Sequence, residues 1–169
     1  MKTRTKNLLL CNILTAILFL LPVFRLDLFK ENYSTLSLNA EGHLFLLGLG
    51  ILTGSLMGYE TACIANKKRG YIVFASLLLG TLIPHHVPYD FQGNMHLFFA
   101  YTGFFVLIVM TYLNTLCSRK TTCRNILILS LTAAFALYLR FGMVSTLAEI
   151  VIMFACMGID LLICIEKRI

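Results

Sequence analysis

Six apolar runs separated by short polar connections constrain this chain more than any other feature. The runs cover about residues 8–24, 43–65, 71–83, 96–116, 126–139 and 143–165. Four of them approach the roughly 20 apolar residues that cross a bilayer as a helix. Charged residues make up only 13% of the chain, about half of what soluble domains carry. We therefore predict an all-α, polytopic membrane helix bundle with residues 1–169 as a single transmembrane domain.

The third and fifth runs are short for a span, so each needs tilt, local bilayer thinning or flanking residues to cross. A re-entrant segment is the alternative, and the distribution of charge decides against it. With the N-terminus inside and six crossings, eleven of the fourteen lysines and arginines fall on the inner side, as the positive-inside rule requires. These are Lys2, Arg4, Lys6, Lys67, Lys68, Arg69, Arg119, Lys120, Arg124, Lys167 and Arg168. We predict six transmembrane helices with both termini in the cytoplasm.

The net charge of +6 is explained by these clusters, so we do not expect a nucleic-acid partner. None of the six cysteines falls in an outward connection of this topology. An extracellular disulfide framework is therefore not expected, and Cys117 and Cys123 are interpreted as free thiols. We expect the plasma membrane as the location, with an endomembrane as the alternative.

Three acids lie within the apolar runs, where an ionised side chain needs a compensating partner. Glu60 and Asp160 lie near the cytoplasmic ends of their runs, and we expect them to reach the interface or to pair locally. Glu149 lies deeper, near the outer end of the last run. It is either the partner of Arg140 across a tight turn or a functional acid, and it is the candidate catalytic residue.

All four histidines fall at the outer boundary of the predicted topology. Imidazole and carboxylate groups are ligands for zinc and similar divalent metals, so a metal site is one interpretation of this cluster. Its candidate ligands are His85, His86, His96 and Asp90, and further outer-site candidates are His43, Glu41 and Arg140. The alternatives are histidines that simply suit a membrane interface and histidines that sense pH.

Two segments resemble the DRAM and Frag type of membrane protein, and related bacterial six-helix families. They are NMHLFFA at residues 94–100, with His96 at the start of the fourth helix, and STLAE at residues 145–149, with Glu149 early in the sixth. The resemblance implies a six-helix fold and a role in lipid, lipid-anchor or trafficking processes, often without demonstrated catalysis. It also implies that His96 and Glu149 are family positions.

Three functional hypotheses follow. In the first, the protein acts with membrane lipids or partner membrane proteins through an outward cavity rimmed by histidines and Glu149, without an assigned reaction. In the second, it is a metal-dependent hydrolase or transferase, with Glu149 or Glu41 as general base. In the third, it is a small-solute carrier or transport subunit, which intramembrane acids favour. Small residues on the second helix, Gly50, Gly54 and Gly58, indicate close packing within the bundle or a homodimer face.

Overall fold

The protein is helical throughout the residues that its computed structural model describes, which are 3–84 and 91–167. The six α-helices are α1 (Thr3–Leu20), α2 (Ala40–Ile64), α3 (Lys67–Leu82), α4 (Phe91–Cys117), α5 (Thr121–Phe141) and α6 (Thr146–Glu166). Two short 3₁₀ helices, Leu21–Phe24 and Tyr33–Leu38, lie in the connection between α1 and α2. The predicted all-α class is confirmed for this part of the chain.

Five of the helices are long and apolar enough to cross a membrane, which fits an integral, multi-pass membrane protein. These are α1 with the following turn, α2, α4, α5 and α6. The remaining helix, α3, has 16 residues. At 1.5 Å per residue it is about 24 Å long, which is less than the roughly 30 Å hydrocarbon core of a typical bilayer.

Side chains that cap the helix ends explain where several helices begin. Asn39 accepts a hydrogen bond from the Gly42 amide at the start of α2, and Asn66 accepts one from the Arg69 amide at the start of α3. Each satisfies an amide that has no partner within its helix. Helix α5 ends at Phe141 and is capped by Gly142, whose φ of 73° lies in the left-handed region that glycine adopts without strain. The chain therefore turns tightly between α5 and α6.

Helices α2, α3 and α4 pack side by side and antiparallel through glycines. Gly58 of α2 lies against Gly70 at the start of α3, whereas Gly50 lies against Thr81 near the end of α3. In the same way, Gly103 of α4 lies against the Ser76 backbone of α3. Gly50, Gly54 and Gly58 of α2 thus face α3 within the bundle, where the absence of a Cβ lets the two backbones approach closely.

Substituting Gly70 by alanine should destabilise the bundle by about 1–3 kcal/mol, the usual cost of overpacking. The new Cβ would meet the Gly58 carbonyl oxygen and would lie 2.7 Å from Ala62 Cβ. Gly48→Ala is the matched control, since nothing lies within 4 Å of a Cβ at that position. Unfolding of both variants in mixed SDS micelles measures the effect, and equal stabilities would contradict the described α2–α3 contact.

The antiparallel order brings the connections together at two ends of the bundle. At one end, the Arg69 guanidinium lies 3.4 Å from Cys117 Sγ, and Lys167 Nζ donates to the Ile64 carbonyl at 2.9 Å. We call this the basic end. The other end carries residues 21–39 and the α5–α6 turn, and we call it the loop end. Helix α6 contacts α1, α2, α4 and α5, so its polar side chains are drawn into the interior.

Candidate functional site

Five of the eight predicted outer-site residues lie in the described part of the chain. They are Glu41, His43, His96, Arg140 and Glu149, and all belong to the loop end. The other three, His85, His86 and Asp90, lie outside the described residues. Ser34 lines two cavities together with Glu149 and is hydrogen-bonded to His96, whereas Glu41, His43 and Arg140 line neither of them.

His96 is an interior residue of the loop end, with 1% of its surface exposed. Its Nδ1–H donates to the Ile83 carbonyl, and its Nε2 lies 2.8 Å from Ser34 Oγ. A carbonyl oxygen can only accept, so the hydrogen belongs on Nδ1, and in the neutral ring Nε2 accepts from the Ser34 hydroxyl. His96 therefore ties the α1–α2 connection to α4, and the prediction that it lies on a cavity rim is corrected to a buried position.

Glu149 lies in the first turn of α6 with 8% of its surface exposed. One carboxylate oxygen accepts a hydrogen bond from the Tyr33 backbone amide at 2.8 Å, and the positive end of the helix dipole also favours an acid there. The ion pair with Arg140, one of the two alternatives for Glu149, does not occur, and Arg140 is an exposed residue. In the described residues the single ion pair joins Lys120 and Glu166 at the basic end.

The α1–α2 connection is held down on the loop end by hydrogen bonds to the bundle. The Tyr33 hydroxyl donates to the Phe19 carbonyl, and the Thr146 amide donates to the Glu31 carbonyl at 2.6 Å. Burial and the neighbouring Glu149 raise the pKa of the Tyr33 phenol well above its ordinary range, so this hydroxyl stays protonated and donating. Hydrogen bonds therefore hold the polar segment 31–34 in place beside Glu149.

A groove of about 220 Å³ runs between α4 and α6 at the loop end. Its polar lining residues are Asn32, Ser34, Tyr101 and Glu149. Its apolar walls include Leu97, Phe104, Phe105, Ile108, Val144 and Ile152. Phe105 is 67% exposed, so the groove opens on the side of the bundle where lipid would lie. The groove therefore combines apolar walls, open to the side of the bundle, with a buried carboxylate at one end.

A second, narrower cavity of about 70 Å³ lies deeper, toward α2 and α3. It shares Ser34, Ala100, Phe104 and Glu149 with the groove and adds the Thr53 and Thr81 side chains. Ser34 and Glu149 thus line both cavities.

Glu41 and His43 line neither of these cavities. Glu41 is exposed in the first turn of α2, and His43 is half-buried with its Nδ1 lacking a hydrogen-bond partner. The metal hypothesis depends on His85, His86 and Asp90, which lie outside the described residues. Within the described ranges no group of three or more His, Cys, Asp or Glu side chains is placed to hold a metal. Both ring nitrogens of His96 are also engaged in hydrogen bonds.

A second polar cluster lies between the helices nearer the basic end. It consists of Asn12, Glu60, Thr61, Asn114 and Asp160, and we call it the acid–amide cluster. Asn12 Nδ2 donates to Glu60 Oε1 at 2.6 Å, and Asn114 Nδ2 donates to Asp160 at 3.1 Å. Glu60 and Asp160 are both 0% exposed. The expectation that they reach the interface or pair with nearby lysines was wrong, because their helix faces point inward.

No family model matches the chain, and neither the curated proteins nor the solved structures contain a match. The resemblance to the DRAM and Frag type of membrane protein therefore stays a prediction.

Reasoning from the sequence missed Ser34 and Tyr33 at the loop end, and Asn12 and Asn114 in the acid–amide cluster. The two asparagines carried a usable indication, since each is an uncharged polar residue inside an apolar run. Ser34 and Tyr33 lie in a connection, where a polar residue is ordinary and predicts nothing. All six cysteines are free, which confirms the expected free thiols at Cys117 and Cys123.

Proposed function

We propose that this protein binds a membrane lipid in the outer leaflet, with the lipid chain in the groove between α4 and α6. The observation that carries the proposal is the groove itself, whose apolar walls end at the buried Glu149 carboxylate. Ligand sites combine mostly apolar walls with a few fixed polar groups in this way. No catalytic role is assigned to Glu149, because its described partner is a backbone amide of the protein.

The proposal includes six spans with both termini in the cytoplasm. The antiparallel packing of α3 against both α2 and α4 supports a third crossing, and local thinning of the bilayer accommodates its short length. Lysines and arginines at the basic end support a cytoplasmic position for that end. The loop end, and with it the groove, then faces outward from a plasma membrane, or into the lumen if the membrane is internal.

Reporter fusions test this topology. Alkaline phosphatase, which folds only outside, should be active when fused after residue 84 and inactive when fused after residue 66. A cytoplasmic fluorescent reporter should show the opposite pattern. The same sidedness at both positions would contradict the crossing by α3.

The size and polarity of the groove indicate what part of a lipid it holds. Its volume of about 220 Å³ is below the roughly 300–1,000 Å³ typical of pockets that enclose a whole ligand. It therefore suits a segment of one acyl chain, with the rest of the lipid in the bilayer. Glu149 offers carboxylate oxygens, which favour a head group with amine or hydroxyl donors over one that presents only phosphate.

Filling the groove should remove the bound lipid. Ile152→Trp places a large ring in the apolar wall, and we expect at least a fivefold loss of co-purifying phospholipid per chain, measured by mass spectrometry after gentle detergent extraction. Leu129→Trp on α5 is the matched control, because Leu129 is 71% exposed and lines neither cavity. Equal lipid retention in both variants would contradict the proposal.

Partner membrane proteins remain an alternative occupant of the same exposed face. A metal-dependent hydrolase or transferase remains a hypothesis that rests on His85, His86 and Asp90. The carrier hypothesis has a separate basis in the acid–amide cluster.

A further inference from the structure

Two fully buried carboxylates, Glu60 and Asp160, lie in the acid–amide cluster without a cationic partner among the described residues. An ionised carboxylate inside a membrane bundle loses several kcal/mol of hydration, which neutral donors compensate only in part. Lys167 is an exposed residue whose ammonium donates to the Ile64 carbonyl, and Lys120 pairs with Glu166. The two acids are therefore neutralised either by protons or by a cation from outside the described chain.

The hydrogen bonds of the cluster leave several oxygen atoms unused. Asn12 and Asn114 direct their NH₂ groups to the acids, so their carbonyl oxygens have no hydrogen-bond partner. Asn12 is 5% exposed and Asn114 is 0% exposed. Glu60 Oε2 is likewise buried without a partner. If either amide were flipped, its oxygen would face a carboxylate oxygen, and neither atom could donate a hydrogen bond. The carboxylates therefore fix the orientation of both amides.

Unpartnered buried oxygens are uncommon in native proteins, and each calls for an unseen partner. Carboxylate and amide oxygens are the ligands that hard cations such as Na⁺, Mg²⁺ and Ca²⁺ prefer. The carboxylate and amide oxygens of the cluster come from four helices, α1, α2, α4 and α6. Thr61 on α2 also accepts a hydrogen bond from Asn114 at 3.3 Å. A cation at their centre would neutralise charge and connect four helices.

We propose that the acid–amide cluster binds one small hard cation between the carboxylates of Glu60 and Asp160 and the amide oxygens of Asn12 and Asn114. The site is separate from the lipid groove and does not depend on it. The two carboxylates together match the charge of a divalent ion, whereas a monovalent ion would leave one acid to hold a proton. The neighbouring titratable groups are the thiols of Cys123, Cys156 and Cys164.

The test is the melting temperature of the purified full-length protein in Na⁺, Mg²⁺ or Ca²⁺, with choline chloride at equal ionic strength as reference. We expect one of the three ions to raise the melting temperature of the wild type by several degrees, in a saturable way. Glu60→Gln and Asp160→Asn should each raise the ion concentration needed for the half-maximal shift at least tenfold. Glu166→Gln, an exposed acid on α6, should leave it intact.

The proposal is overturned if none of the three ions acts beyond choline, or if the response persists in both cluster variants. Should the variants fail to fold, equilibrium dialysis of the wild type followed by elemental mass spectrometry decides the matter. About one ion per chain supports the site, and none at millimolar concentration overturns it. Loss of lipid in the Ile152→Trp variant should not alter the ion response, which separates this proposal from the lipid groove.

Discussion

Replacing His96 by alanine should lower the free energy of unfolding by about 3 kcal/mol. The side chain is almost fully buried, and its truncation opens a cavity between α4 and the α1–α2 connection. It also removes two hydrogen bonds worth roughly 0.5–1.5 kcal/mol each, and it leaves the Ile83 carbonyl and the Ser34 hydroxyl without these partners. Because Ser34 lines the groove, lipid retention should fall as well.

His43→Ala is the matched control for this variant. His43 is half-buried, has an unpartnered Nδ1 and lines neither cavity, so its loss should cost less than about 0.5 kcal/mol. Both variants are measured by reversible unfolding in mixed SDS micelles. A His96→Ala protein as stable as His43→Ala would show that His96 does not join the connection to the bundle.

Asn114→Ala is expected to cost about 2–3 kcal/mol. Its NH₂ group donates to both oxygens of Asp160, at 3.1 and 3.2 Å, and hydrogen bonds to a charged group contribute roughly 1.5–3 kcal/mol. The substitution leaves a fully buried acid with fewer donors, in a place that water does not reach. The loss should therefore exceed that of an ordinary polar truncation in a membrane bundle, where single interhelical hydrogen bonds average about 0.6 kcal/mol.

Asn125→Ala provides the comparison for Asn114, since it is the same substitution at an exposed position of α5. A double-mutant cycle with Asp160→Ala isolates the pair, and we expect a coupling energy of about 1–2 kcal/mol between Asn114 and Asp160. A coupling near zero would contradict the described hydrogen bonds. It would also remove one of the ligands assigned to the cation site.

The apolar runs predict the positions of the helices well but not their starts. Helix α5 begins at Thr121, although its apolar run begins near residue 126, and α3 begins at Lys67, although its run begins near residue 71. Hydropathy marks only the part of a helix that lies in hydrocarbon. Backbone hydrogen bonding continues into the polar interface, and Asn66 sets the true start of α3.

The sequence predicts which end of the bundle holds His96 and Glu149, but not how deeply they are buried. In a soluble helix the apolar stripe identifies the buried face, whereas a membrane helix is apolar on every face. Glu60 illustrates the consequence. Its closeness to lysines along the chain suggested an interfacial position, yet the face of α2 that carries it points to Asn12 on α1. Helix rotation is set by packing, which a single sequence does not display.

The location of bound lipid tests the central claim most directly. The purified protein, reconstituted into vesicles that contain a phospholipid with a photoactivatable acyl chain, is irradiated, and the labelled peptides are mapped by mass spectrometry. We predict labelling concentrated in residues 97–108 of α4 and in residues 144–152, around the start of α6, and its loss in Ile152→Trp. Labelling spread over all exposed faces, with the α5 surface around Leu129 labelled as strongly as the groove, would contradict a lipid site between α4 and α6.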